Sequence, residues 1–290
     1  MTQIRKIKTT LKGKPTMEGA GVDLNRIFGF YEAPLFDPFL MMDHFGSDDP
    51  DDYIKGFPWH PHRGIETITY MLEGEVEHRD SLGNTGKLLP GDIQWMTAGS
   101  GIIHQEMPGG DEKGRMFGFQ LWANLPASQK MMSPRYQDIK SDQVPEIMTD
   151  DGVRIRVICG KVNDIQGPVH DIIIDPEYID VTVPANCKFN HVTRPGHTVF
   201  SYVFEGEADF SPDSGGVVIG EKTLVLYEDG DSVLVSTGDK PVRFLLISGK
   251  PIGEPIAWHG PIVMNTKDEL RVAINELNSN TFIKHKIGQS

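Results

Sequence analysis

Short apolar runs, broken every few residues by glycine or a polar pair, organise most of the chain. Ile65-Glu-Thr-Ile-Thr-Tyr-Met-Leu72 alternates well enough for a half-buried strand and stops at Glu73-Gly74. Residues 75–79 form a second short run, and Asp80-Ser-Leu-Gly-Asn84 turns the chain. Leu88-Leu-Pro-Gly-Asp92 places another turn before a strand over 93–96. Ala98-Gly-Ser-Gly101 breaks that strand, residues 102–106 resume it, and residues 116–122 close the set. Many short strands at this spacing predict an antiparallel barrel or sandwich rather than an α/β fold.

The second half repeats the scheme. Phe200-Ser-Tyr-Val-Phe204 runs into Glu205-Gly206-Glu207, as Tyr70-Met-Leu72 runs into Glu73-Gly74-Glu75. Gly230-Asp231 opens a strand over 232–235 as Gly91-Asp92 opens its own, and residues 242–247 answer the strand at His104. A longer loop over 212–220 absorbs the difference in spacing. The order of landmarks predicts duplication of one barrel. The periodicity is interrupted between Ala123 and Asp142, by Asn124-Leu-Pro-Ala-Ser and by Ser133-Pro134, so the expected units are 1–134 and 135–290. One short helix is expected near the C-terminus. Thr266 and Glu269 make a capping box, with Leu270, Ala273, Ile274 and Leu277 on one face, and that helix is expected to seal the open side of a barrel.

Composition narrows the partners. A net charge of -13 and a pI near 5.2 oppose binding to phosphate backbones unless a basic patch exists. Lys and Arg are dispersed, and the densest stretch, 5–14, is short, so no direct nucleic-acid partner is expected. The acidic run 48–52 lacks the spaced ligands of a calcium loop and reads as a solvated turn. Cys159 and Cys187 are isolated and expected to be reduced, buried and inert. The N-terminal segment has no apolar core for a secretory signal, and no run approaches the roughly 18 apolar residues of a membrane helix. A cytoplasmic, membrane-free protein is the expectation.

Candidate chemistry resides in two pairs, His60-Pro-His62 and His104-Gln-Glu106. Each sets two donors at i and i+2, a spacing that in a strand sends both side chains to one face. Either pair alone is as readily a surface coincidence or a core residue, and Pro61 could signal a loop. Together, on neighbouring or facing strands, they can offer three imidazoles and a carboxylate to one ion. Those donors suit iron, manganese, nickel, copper or zinc. Four ligands on a metal that accepts six leave room for water, dioxygen or substrate.

The longer segments around these pairs carry a resemblance. Phe57-Pro-Trp-His-Pro-His-Arg-Gly-Ile-Glu-Thr67 and Leu89-Pro-Gly-Asp-Ile-Gln-Trp-Met-Thr-Ala-Gly-Ser-Gly-Ile-Ile-His-Gln-Glu106 resemble the signature of the pirin family. Asp37-Pro-Phe-Leu-Met-Met-Asp43 and His259-Gly-Pro-Ile-Val-Met-Asn265 resemble its flanking segments, so the likeness spans nearly the whole chain. It implies an all-β bicupin of two antiparallel, jelly-roll-type barrels. It also implies one divalent metal ion, iron(II) in the first instance, with manganese, nickel, copper, cobalt or zinc as alternatives. The implied ligands are His60, His62, His104 and Glu106. Glu66, where many other cupins place a ligand carboxylate, then becomes an outer partner that orients an imidazole or holds Arg63. Counting from the shared landmarks sets Val192 and Arg194 where His60 and His62 stand. The same counting sets Arg243 and Leu245 opposite His104 and Glu106, so the second barrel is expected to be structural. His191 and His197 fall out of register and read as surface or turn residues.

Two functions follow from the resemblance. One is a dioxygenase of the quercetin 2,3-dioxygenase type, acting on a small aromatic, flavonol-like substrate. Glu106 would then serve as its catalytic base, and Phe57, Trp59, Met96 and Phe119 would sandwich the substrate or simply fill the core. The other is a redox-sensitive regulator that binds a protein partner, a transcription coregulator or a regulator of a metabolic enzyme.

Overall fold

The apolar runs lie in strands throughout the computed structural model, which describes residues 3–285. By contact the chain forms two compact units that do not follow a single cut. One comprises Lys14–Ser141 and the chain from Ile252 onward; the other comprises the chain up to Gly13 and Asp142–Pro251. The sequence suggests a cut at 134/135. The difference arises at the cut, where Arg135–Ile139 pairs with Ile93–Thr97 of the first unit, and at the two chain ends, which pack with segments far away in sequence.

In the first unit a seven-stranded antiparallel sheet runs in the order Arg135–Ile139, Ile93–Thr97, Ile65–Glu73, Met116–Asn124, Phe39–Ser47, Val22–Phe28, Lys14–Glu18. A four-stranded sheet runs Phe57–His62, Ile102–Gly109, Glu75–Asp80, Thr85–Leu88. Val76 and Leu88 of the smaller sheet bury themselves with Val22, Leu24, Met71 and Met116 of the larger one. The sheets therefore face each other across a shared apolar layer, and alternation along each strand decides which side chains enter it. The fold is the all-β bicupin expected, in the sandwich form of the jelly-roll rather than as closed barrels.

The second unit is built around the long strand Thr198–Asp209. Its first part pairs with Thr223–Tyr227 and Val242–Gly249, and its end pairs with Val218–Gly220 and Ser236. A register shift between Val203 and Glu205 accompanies the change of partners. The chain's first strand, Ile7–Lys12, adds to Thr223–Tyr227 at the edge of this unit.

The predicted helix is Lys267–Asn278, and both halves of the Thr266–Glu269 capping box are present. It packs in the first unit. Ala273 is buried among Ile262, Met264 and Phe282, with Leu270, Leu277 and Ile103 partly buried against them. Among the described residues no helix is long and apolar enough to cross a membrane. The acidic run forms a turn over Pro50–Asp52, capped by the Asp49 side chain on the Asp51 amide. Both cysteines are free thiols, but Cys187, expected to be buried, is only half so.

Candidate metal centre

Strands Phe57–His62 and Ile102–Gly109 pair antiparallel, with His104 directly opposite His60 and Ile102 opposite His62. The i, i+2 spacing keeps His60 and His62 on one face. Cross-strand pairing then brings His104 to the same face, as a strand pair does for opposed side chains. Ring centroids stand 4.3 Å apart for His60 and His104, and 4.9 Å for each of the other two pairs. One donor nitrogen from each ring lies within 4.8 Å of the others, a spacing one ion can bridge.

The surroundings suit a cation. His104 is 1% exposed and neither of its ring nitrogens has a hydrogen-bond partner; the Nδ1 of buried His62 also has none. Buried polar atoms are ordinarily satisfied, so orphaned lone pairs on converging imidazoles mark a place for a bound group. His60 Nδ1 lies 2.8 Å from the Pro58 carbonyl, which fixes the proton there and frees Nε2. Burial, with repulsion from the neighbouring imidazoles, holds His62 and His104 well below the ordinary histidine range, and burial also lowers His60. The three rings are thus neutral at pH 7, the form that ligates a metal. The donor set fits a divalent transition-metal ion.

Glu106 is buried on the same strand but outside the three-histidine group. A register shift between His104 and Glu106 sets Glu106 opposite Phe57. Burial pushes its carboxyl up to about 7, against a hydrogen bond from Thr69 that favours the charged form. It shares with His60 and His62 the lining of an open cavity of about 560 Å³. A file of rings leads from that cluster outward: His62 to Trp122 at 5.1 Å, Trp122 to Trp258 at 6.0 Å, Trp258 to Phe30 at 5.5 Å.

Several expected neighbours stand elsewhere. Phe57 lines the cavity; Trp59 is 53% exposed outside it, and Met96 and Phe119 are fully buried away from it. Along Met116–Asn124 it is Gln120 and Trp122 that reach the cavity, which strand alternation could have revealed. Trp258 and Phe30 carried no local signal. Glu66 is buried but not in the histidine group; its Oε1 accepts the Thr97 hydroxyl at 2.6 Å. It does not hold Arg63. That side chain pairs with Glu276 at 2.8 Å, donates to the Phe282 carbonyl at 2.8 Å and lies 4.1 Å over the Phe282 ring. His78, unremarked in the sequence, is buried 5.3 Å behind the His104 ring, and the alternation of Val76, His78 and Asp80 would have exposed it.

In the second unit the inward positions of Lys188–Val192 are Phe189 and His191, while Val192 and Arg194 point outward. His191 is therefore buried, not a surface residue as expected, and its Nε2 meets Glu177 at 2.7 Å on the wall of a separate cavity of about 720 Å³. The paired strand Ser232–Ser236 buries Val233 and Val235, so the ligand set is not repeated there.

Comparison with known proteins agrees with this fold. Residues 21–123 match the family model Pirin, and residues 178–283 match that of the Pirin C-terminal cupin domain. A Pirin-like protein of Caulobacter vibrioides is 44% identical over 280 residues, covering 96% of this chain and 99% of that protein. The crystal structure of quercetin 2,3-dioxygenase from Acinetobacter baumannii superposes with a TM-score of 0.87 at 30% identity, covering 96% of this chain and 98% of that one. A bacterial pirin of Escherichia coli, solved in complex with nickel(II), shares the fold at a TM-score of 0.62 and 22% identity, covering 84% of this chain and 99% of that one.

Proposed function

The chain belongs to the pirin family, and on that footing we propose that it is a mononuclear metal-dependent dioxygenase acting on a flavonol-like substrate. The ligands in this reading are His60, His62, His104 and Glu106, and the metal is iron(II). The observation that carries it is the convergence of three neutral imidazoles, His62 and His104 buried with orphaned nitrogens and His60 half-buried, beside an aromatic-lined cavity that His60 and His62 line. A relative of near-complete overlap bearing the name quercetin 2,3-dioxygenase supplies the substrate class.

The ion, when bound, supplies Lewis acidity and one-electron chemistry. The chain's own residues do the rest. Trp122 and Trp258 offer flat apolar faces along which a planar substrate slides toward His62, excluding water as it seats. Glu106 lines the same cavity and is the carboxylate that accepts the proton of the substrate's enolic hydroxyl. Oxygen uptake on adding quercetin to anaerobically reconstituted iron(II) protein tests the proposal. Uptake is expected from the wild type and lost in His104→Ala; equal rates in both would sink it.

Exposed Phe30 and Tyr31, edge to face at 5.5 Å with Phe30 lining the cavity, favour a second reading. A regulatory protein partner covering these rings would sense the state of the site. Partner capture that is identical for oxidised, reduced and metal-free protein would count against it.

A further inference from the structure

Resting on the reading of this site as a metal centre, we propose that Thr69 and Gln120 are positioning residues that hold the Glu106 carboxylate in its ligating orientation. Thr69 and Gln120 are directly opposed neighbours in the seven-stranded sheet. Opposed residues share a face, here the one turned toward the four-stranded sheet that carries Glu106. The Gln120 side-chain amide donates to Thr69 Oγ1 at 3.0 Å. With that oxygen already accepting, the Thr69 hydroxyl hydrogen is free to turn to Glu106, which lines the same crevice.

A polar chain thus runs Gln120 to Thr69 to Glu106 from one layer of the sandwich to the other. All three line one small crevice of about 20 Å³. Its remaining walls, Phe45, Phe57, Val76, Pro108 and Met116, offer the carboxylate no side-chain donor. Against Glu75–Asp80 the strand runs in regular register through His104 and Glu106, so both side chains keep to one face. The hydroxyl on one carboxylate oxygen fixes the rotation of the group and leaves the second oxygen for the ion. Outer partners of metal ligands act in this way.

Cobalt(II) is the probe, bound to the full-length protein in competition with a chromophoric chelator, with visible absorption reporting the coordination. Thr69→Val keeps the shape and removes the hydroxyl. It is expected to weaken cobalt binding about tenfold or more and to alter the spectrum as Glu106→Gln does, while Thr69→Ser stays within about threefold of wild type. In a Glu106→Gln background, Thr69→Val should add less than about twofold, because its effect passes through the carboxylate. Gln120→Met should weaken binding by about threefold, and it carries the test if Thr69→Val does not fold. Wild-type affinity and spectrum in Thr69→Val, or in Gln120→Met where it stands in, overturn the proposal. So does a loss that persists in full without Glu106. If wild type binds no cobalt, or His104→Ala binds as well as wild type, the site reading itself fails and this inference falls with it.

Discussion

Removing Glu276 should expose how strongly the C-terminal helix is tied to the metal strand. Arg63 directly follows His62, and its side chain is 2% exposed, paired with Glu276 at 2.8 Å. Breaking a buried pair by deleting one partner costs about 3–5 kcal/mol, because the remaining charge stays buried and uncompensated. Two features lower that figure here. The Glu276 side chain is 23% exposed, so water already screens the pair, and Arg63 keeps the Phe282 carbonyl and ring as partners. The expected cost of Glu276→Ala is therefore about 2–3 kcal/mol, a fall in melting temperature of about 5–10 °C for a unit of this size. Lys284 also pairs with Glu276, at 2.7 Å, but its side chain is 34% exposed. Lys284→Ala should cost less than about 1 kcal/mol. Urea unfolding followed by circular dichroism compares the two variants with wild type. A Glu276→Ala cost within about 0.5 kcal/mol of zero, or no larger than that of Lys284→Ala, would refute the reasoning.

Other outcomes follow from the same structure. Lys130 is buried and gives its ammonium to Gly64 O, Asn124 Oδ1 and Val263 O, three acceptors that only the charged amine can serve together, although burial pushes its pKa down to about 7. Lys130→Met leaves all three without that donor and should cost about 3 kcal/mol or more in the same unfolding assay; a loss under about 1 kcal/mol would contradict it. Burial would raise the pKa of Glu276, but hydrogen bonds from Lys284 and Arg63 outweigh burial and hold it below the ordinary 4.5. Its folded value lies below its unfolded one, so its contribution is present above about pH 4.5 and fades as pH falls through the folded value. Wild type should accordingly lose stability more steeply than Glu276→Gln below pH 4.5, and parallel curves would count against this. Trp122→Ala should raise the KM for quercetin about tenfold at unchanged metal content, as a lost stacking face would; an unchanged KM removes Trp122 from the substrate path.

The three-histidine cluster was legible in the sequence because its signal is local. Strand spacing alone puts His60 with His62, and one antiparallel pairing adds His104. The capping box at Thr266 and Glu269 was legible for the same reason. What escaped was either parity or distance. Counting from glycine landmarks set Val192 and Arg194 at inward positions that Phe189 and His191 occupy, an offset of odd length, and any odd slip along a strand turns every side chain to the opposite face. The same parity separates Phe119 in the core from Gln120 and Trp122 at the cavity. The Arg63–Glu276 pair and the strand Ile7–Lys12 against Thr223–Tyr227 join segments more than two hundred residues apart, where no short pattern reports a contact.

X-ray absorption on iron(II)-loaded protein, wild type beside His104→Ala, tests the central claim most directly. Three imidazoles and a carboxylate oxygen at about 2.0–2.2 Å are expected in the wild type, with one imidazole fewer in the variant. Fewer than two imidazoles in the wild type, or identical spectra for the two proteins, would contradict the metal centre described at His60, His62 and His104.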